Sequence, residues 1–182
     1  MKIIATNFPN LTLIKPQIFG DSRGWFFESW NKGRYIEAGI GLPFVQDNIS
    51  YSTKNVIRGL HYQKPFTQGK LVFVLEGEVW DVVVDLRRRS PTFGKWQGFT
   101  LTGKNKEQLY VPPGFAHGFC VISDTVLFQY KCTDIYNPAS ERGIMWNDPD
   151  LNIPWPTEKP VISDKDTKHP FFRDLTRDLL FD

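Results

Sequence analysis

Two histidines in this chain stand in matching surroundings. His61 lies in Val56-Ile57-Arg58-Gly59-Leu60-His61-Tyr62-Gln63, and His117 in Pro112-Pro113-Gly114-Phe115-Ala116-His117-Gly118-Phe119. Each sits on or beside a stretch with β-strand character and has a glycine close by, so strands of one β-rich body can bring both imidazoles to a shared interior. Imidazole titrates near pH 6.5 when unperturbed, which suits it to moving protons at neutral pH. Lys70 opens the next strongly apolar stretch, and one turn between the two stretches can set an ammonium beside an imidazole. A base facing a fixed cation suits acid–base chemistry by side chains.

The same residues argue against metal chemistry. A catalytic zinc site takes three protein ligands, and the two half-sites supply two imidazoles. Gln63 stands two positions after His61, where a second histidine would complete a chelating pair, and no Asp or Glu follows before Glu76. The Lys70 ammonium opposes a divalent cation in the same space. The expectation is acid–base chemistry by side chains, with no metal and no cofactor.

The chain has 182 residues, 41% of them hydrophobic, with 15 Phe, 6 Trp and 6 Tyr. That is enough for one domain with a sizeable core, spanning residues 1–182. The net charge of +2 gives no overall field for nucleic acid or a membrane surface. No apolar stretch is long enough for a membrane span, and the first ten residues lack a secretory pattern, so the expectation is cytoplasmic. Cys120 and Cys132 lie in apolar surroundings and are expected to be buried free thiols.

Glycine and proline punctuate many short apolar runs, which predicts strands over 11–19, 25–30, 45–51, 56–63, 70–75, 78–86, 96–101, 108–111, 118–122 and 126–133. Glu76-Gly77 predicts a tight hairpin. Asn31 is placed to cap a short helix ending near Gly39, and the spacing of Leu175 and Leu179 predicts a last helix over 172–181. Turn signals at roughly ten-residue intervals indicate an antiparallel sandwich or barrel. The run Leu71-Val72-Phe73-Val74-Leu75 is apolar on both faces, so one face fills the interior and the other needs a cover, for which a second subunit is the candidate. Asp81 and Asp85 share a strand face; solvent is the favoured surrounding for both, with an inward Asp81 holding His117 as the alternative.

The two histidine half-sites resemble those of cupins, small barrels of the double-stranded β-helix (jelly-roll) type with few helices. Across nearly the whole chain the sequence is similar to the dTDP-4-dehydrorhamnose 3,5-epimerase family. The resemblance rests on Gly20-Asp21-Ser22-Arg23-Gly24-Trp25-Phe26-Phe27-Glu28, Val45-Gln46-Asp47-Asn48-Ile49-Ser50, Arg58-Gly59-Leu60-His61-Tyr62-Gln63, Gln68-Gly69-Lys70-Leu71-Val72, Asp81-Val82-Val83-Val84-Asp85-Leu86-Arg87, Ser90-Pro91-Thr92-Phe93-Gly94, the 113–119 segment, Tyr130-Lys131 and Ser163-Asp164-Lys165-Asp166. From His169 onward no motif matches.

The resemblance implies an isomerase that inverts C3 and C5 of dTDP-4-dehydro-6-deoxy-D-glucose, giving dTDP-4-dehydro-L-rhamnose. It implies His61 as base, Asp166 as its orienting carboxylate, Lys70 at the enolate oxygen and Tyr130 as the acid on the opposite face. Arg23, Phe26, Glu28, Gln46, Asn48, Arg58, His117, Glu141 and Lys165 match substrate-binding positions, with Arg23 and Arg58 suited to a diphosphate. It also implies a homodimer with exchanged N-terminal strands. The alternatives are an epimerase of one centre only, C3 or C5, in another dTDP-deoxysugar branch, a ketoisomerase on a similar barrel, and a sugar-binding protein without catalysis.

Overall fold

The computed structural model describes residues 1–41 and 43–182. Thirteen strands and one α-helix form among them: β1 (Lys2–Ala5), β2 (Thr12–Lys15), β3 (Ile18–Asp21), β4 (Gly24–Phe27), α1 (Lys32–Glu37), β5 (Gln46–Thr53), β6 (Ile57–Gln63), β7 (Lys70–Glu76), β8 (Glu78–Asp85), β9 (Trp96–Thr102), β10 (Gln108–Val111), β11 (Phe115–Val121), β12 (Thr125–Cys132) and β13 (Glu141–Gly143). One sheet has the order β1-β2-β10-β7-β12-β5 and the other β13-β6-β11-β8-β9; β3 and β4 form a separate hairpin. All these pairings are antiparallel. The two sheets face one another without hydrogen-bonded closure, giving the two-sheet form of the cupin architecture rather than a sealed cylinder.

Strand alternation sorts the side chains into layers. Between the sheets lie Val72 and Val74 of β7, Val79 and Val83 of β8, Phe115 and Phe119 of β11, and Val126 and Phe128 of β12. The opposite parity of β6, β8 and β11 supplies Leu60, Tyr62, Val82, Val84 and Ala116, which pack under Ile144, Leu151 and Leu175 from the C-terminal part of the chain. On the outside of the larger sheet, Ile14, Leu71 and Tyr110 are covered by Tyr35 and Ile40. The doubly apolar β7 is therefore covered by the chain's own α1 segment, and Phe27 adds an edge-on contact to Phe73; no second subunit is needed there. Sidedness from alternation alone puts His61, Lys70, Asp81, His117 and Tyr130 on the inward parity.

The glycines beside the histidines have a packing cause. Gly59 has φ +124, and a Cβ there would lie 2.6 Å from the Gly118 Cα; a Cβ on Gly118 would lie 2.7 Å from the Arg58 carbonyl oxygen. The register of β6 and β11 shifts between His117 and Phe119, so two backbones meet closely at an irregular step that only glycine fits. On the step's regular side His61 and His117 are direct cross-strand partners.

Several expectations need correction. The 11–19 run splits into β2 and β3, with Pro16 unable to donate to a ladder. The 172–181 segment is not an α-helix: 3₁₀ turns at Phe172–Asp174 and Arg177–Leu179 flank extended Leu175 and Thr176. An isolated helix of that length is marginal, whereas the extended path packs Phe172, Leu175 and Phe181 on the smaller sheet and lets Phe181 pair with the backbone at Leu86 and Arg87. Asp81 and Asp85 are fully buried rather than solvated. Asp85 accepts from Arg87, Ser90 and Thr92; burial opposes its ionisation, but these donors outweigh burial and leave its pKa lowered. Cys120 and Cys132 are buried and unpaired. No helix among the described residues is long and apolar enough to cross a membrane.

Candidate active site

A cavity of about 520 Å³ opens between the sheets, lined by Arg58, His61, Lys70, His117, Tyr130, Glu141, Lys165 and Asp166 together with Phe119 and Phe128. β7 contributes Lys70, β11 His117 and β12 Tyr130 by strand alternation, and β6 contributes both His61 and Arg58 because its register shift against β11 sets Arg58 opposite Phe119. Asp166 arrives from the other end of the sequence on a single 3₁₀ turn, Asp166–Lys168.

His61 Nε2 lies 2.6 Å from Asp166 Oδ1. Burial tends to raise the Asp166 pKa, but His169, His61 and the Gly59 N–H outweigh it and hold the carboxyl far below the usual range. An ionised carboxylate only accepts hydrogen bonds, so His61 Nε2 carries the proton and donates. In the neutral ring Nδ1 is then left with a free lone pair, the atom that can take a proton. His117 Nε2 lies 2.8 Å from Asp81 Oδ2 and 3.0 Å from Oδ1. Burial raises the Asp81 pKa, with His117 and then Lys70 opposing it. The inward reading of Asp81 is therefore the right one, because a carboxylate buried without such partners would be costly.

Lys70 forms no salt bridge within 4.0 Å among the described residues. Its Nζ sits 5.9 Å from the centre of the Tyr130 ring. Burial lowers its pKa, partly offset by Cys132, Asp81 and Glu141. Burial likewise raises the Tyr130 phenol. A half-desolvated cation without a carboxylate partner is costly in an empty cavity and favourable once an anion develops beside it.

His61, Asp166 and His169 bring their donor atoms within 4.8 Å of one another, a two-histidine, one-carboxylate set of the kind transition metals use. His61 and Asp166 are at hydrogen-bond spacing, and His169 stands 3.5 Å from Asp166. Ligands at about 2.1 Å from one tetrahedral ion stand roughly 3.3 Å apart, whereas the His61–Asp166 distance is 2.6 Å. The nearby Lys70 ammonium also opposes a cation.

A family model described as dTDP-4-dehydrorhamnose 3,5-epimerase matches residues 5–174. The chain is 52% identical over 176 residues to the dTDP-4-dehydrorhamnose 3,5-epimerase of Shigella flexneri, covering 96% of this chain and 97% of that one. The chain belongs to the dTDP-4-dehydrorhamnose 3,5-epimerase family. Among solved structures of this family's fold, dTDP-6-deoxy-D-glucose-3,5-epimerase from Legionella pneumophila Philadelphia 1, in complex with dTDP-4-keto-L-rhamnose, superposes with a TM-score of 0.96 at 52% identity, covering 99% of this chain and 97% of that one. A 3′-monoepimerase from Streptomyces bikiniensis, in complex with dTDP-quinovose, gives 0.86 at 32% identity, covering 91% and 85%.

The substrate-binding positions inferred from family likeness fall into three groups in this family member. Arg58, His117, Glu141 and Lys165 line the main cavity. Gln46 and Asn48, 2.9 Å apart on β5, line a pocket of about 240 Å³ that shares His61, Lys70, Tyr130 and Glu141 with it. Lys165 and Glu141 are ion-paired across the rim. Arg23, Phe26 and Glu28 lie outside both spaces. Arg23 is on the exposed β3–β4 tip, 88% of its side chain accessible and held by Asp21; Phe26 is 68% exposed; Glu28 pairs with Arg34. His169, which no motif marked, packs beside His61 with ring centres 5.6 Å apart.

Proposed function

We propose that this chain inverts C3 and C5 of dTDP-4-dehydro-6-deoxy-D-glucose to give dTDP-4-dehydro-L-rhamnose, without metal or cofactor. The observation that carries the reading is one cavity holding His61, braced by an ionised Asp166, together with an unpaired Lys70 ammonium. Both hexose centres adjoin the C4 carbonyl. His61 Nδ1 takes a proton from one of them, and the electron pair moves to the C4 oxygen, where Lys70 stabilises it. His117, backed by Asp81, stands as a second donor to that oxygen. Tyr130 returns a proton from the opposite face; burial keeps the phenol protonated, and an enolate carbon is basic enough to take its proton. The ring then holds an inverted centre, and His61 and Tyr130 reset by proton exchange with solvent. Oxidation state is unchanged throughout, so no redox partner enters.

Double inversion is favoured over a single inversion by the closer likeness to 3,5-epimerases, 52% against 32% for the monoepimerase. Turnover in deuterated water, followed by NMR, is expected to place one deuterium at C3 and one at C5. Label at one centre alone would make the chain a single-centre epimerase. A carbonyl carbon relocated to C3 would make it a ketoisomerase, and absence of exchange would leave a binding protein.

The reading includes a homodimer in which N-terminal strands are exchanged, so that Arg23, Phe26 and Glu28 complete the partner's site at the diphosphate and base. Supporting it, the β3–β4 hairpin exposes Phe19 (59%) and Trp25 (60%), and edge strand β5 exposes Ile49 (61%) and Tyr51 (63%), large apolar side chains on a free hairpin and a free sheet edge. Sedimentation velocity is expected to give twice the chain mass of 21.1 kDa. Mixed dimers of inactive Arg23→Ala and His61→Asn chains are expected to recover activity. A monomeric active enzyme would remove the exchange.

A further inference from the structure

Asp166 has a second imidazole against it. His169 Nε2 lies 3.5 Å from Asp166 Oδ1, the oxygen already bound to His61. That nitrogen is buried and makes no hydrogen bond among the described residues, its approach to Asp166 standing just beyond a good bond, a state that buried polar atoms rarely keep. The backbone is shaped to admit the ring. Gly143 of β13 is the cross-strand partner of His61, and a Cβ on Gly143 would fall 2.5 Å from the His169 imidazole. The following residue, Pro170, is fixed by its carbonyl accepting from the Met145 N–H at 2.8 Å. A polar ring has thus been given a slot cut in the neighbouring strand, ending at the carboxylate that braces the base.

We infer that His169 is a positioning residue: its Nε2–H donates to Asp166 Oδ1, fixing the carboxylate on His61 and drawing off part of the charge with which Asp166 holds a proton on His61. The inference rests on His61 being the base. Two donors on one oxygen divide its charge. Without His169 the carboxylate acts on His61 alone, stabilises its protonated form and leaves less free base at neutral pH. The other charged and titratable groups lining this space are Arg58 from β6, Lys70 from β7, Tyr130 from β12, Glu141 from β13, Lys165 beside Asp166, and the His117–Asp81 pair of β11 and β8. None is altered by a change at position 169, so a shifted profile is assignable to the Asp166 oxygen.

His169→Phe fills the slot without an N–H, and His169→Gln restores an N–H that cannot titrate. His169→Phe is expected to lower kcat about fivefold at neutral pH, the order that one ordinary hydrogen bond supplies, with KM within about twofold and the acid limb of kcat moved to higher pH. His169→Gln is expected to return the limb toward its original position. A His169→Phe enzyme with an unmoved limb would overturn the inference, whatever its stability. Should that variant not fold, ¹⁵N NMR of the unaltered protein decides: a proton on His169 Nε2 is expected, and a ring protonated on Nδ1 alone would overturn it. The NMR result does not depend on the assignment of the base; the limb does, and His61→Asn tests that assignment separately.

Discussion

Replacing His61 with asparagine is expected to lower kcat by at least about 10²-fold with KM changed only a few-fold, the pattern of a group acting in the transition state more than in binding. The size follows from the arrangement behind the ring. Asp166 is kept ionised, so the imidazole is locked with Nε2 as donor and Nδ1 as acceptor. Asparagine keeps a polar group of similar volume at the level of Nδ1, but its amide stops short of Asp166 and it offers no nitrogen able to accept a proton. Deuterium incorporation at C3 and C5 should fall in step with turnover, because abstraction is common to both centres. A thermal melt checks that the variant is folded. An asparagine variant that exchanges both centres at the original rate would place the base elsewhere in the cavity. Loss of exchange at one centre only would mean that a second residue serves the other.

Much of this site was legible from the sequence because strands alternate. With residues 56–63 and 70–75 as strands, His61 and Lys70 can meet inside the sheets, whereas Tyr130 and Asp166 entered the site only through the family resemblance. The glycine beside each histidine was visible too, although its cause was not: Gly59 and Gly118 touch across a register shift, and register is a long-range property. An isolated Asp is usually solvated; the His117 ring on the neighbouring strand, with Lys70 behind it, makes the burial of Asp81 tolerable. β13 is three residues long and carries no alternation to read. His169 belongs to a segment without local periodicity, and its importance comes from Gly143 and Asp166, which meet it only in the folded chain. The helix expected over 172–181 failed for a related reason, since Leu175 and Leu179 are spaced for a helix yet both serve an extended path across the smaller sheet.

Lys70→Met is expected to separate activity from stability. Methionine keeps the length and apolar body of the side chain and removes the charge. Loss of a positioned group facing developing negative charge typically costs about 10²–10³-fold in kcat, and that is the expected loss here, because the alternative donor, His117, reaches the oxygen without a permanent charge. Stability is expected to move the other way. Burial lowers the Lys70 pKa, so below that folded-state pKa the ammonium is held in a setting it disfavours relative to the unfolded chain. The resulting penalty is fully present below the folded-state pKa, shrinks as pH rises through it and is gone above the unfolded lysine value of about 10.4. Removing the charge should therefore raise Tm at neutral pH, by about 2–4 °C for each kcal/mol relieved, and the gain should shrink on the alkaline side. The same lowered pKa sets the alkaline limb of kcat. Lys70 loses its proton below the ordinary lysine range, whereas burial holds the Tyr130 phenol protonated above its ordinary value, so the limb belongs to Lys70 and should be absent from whatever activity Lys70→Met retains. A methionine variant that is less stable and fully active would mean that this ammonium supports the fold and leaves the enolate to another donor.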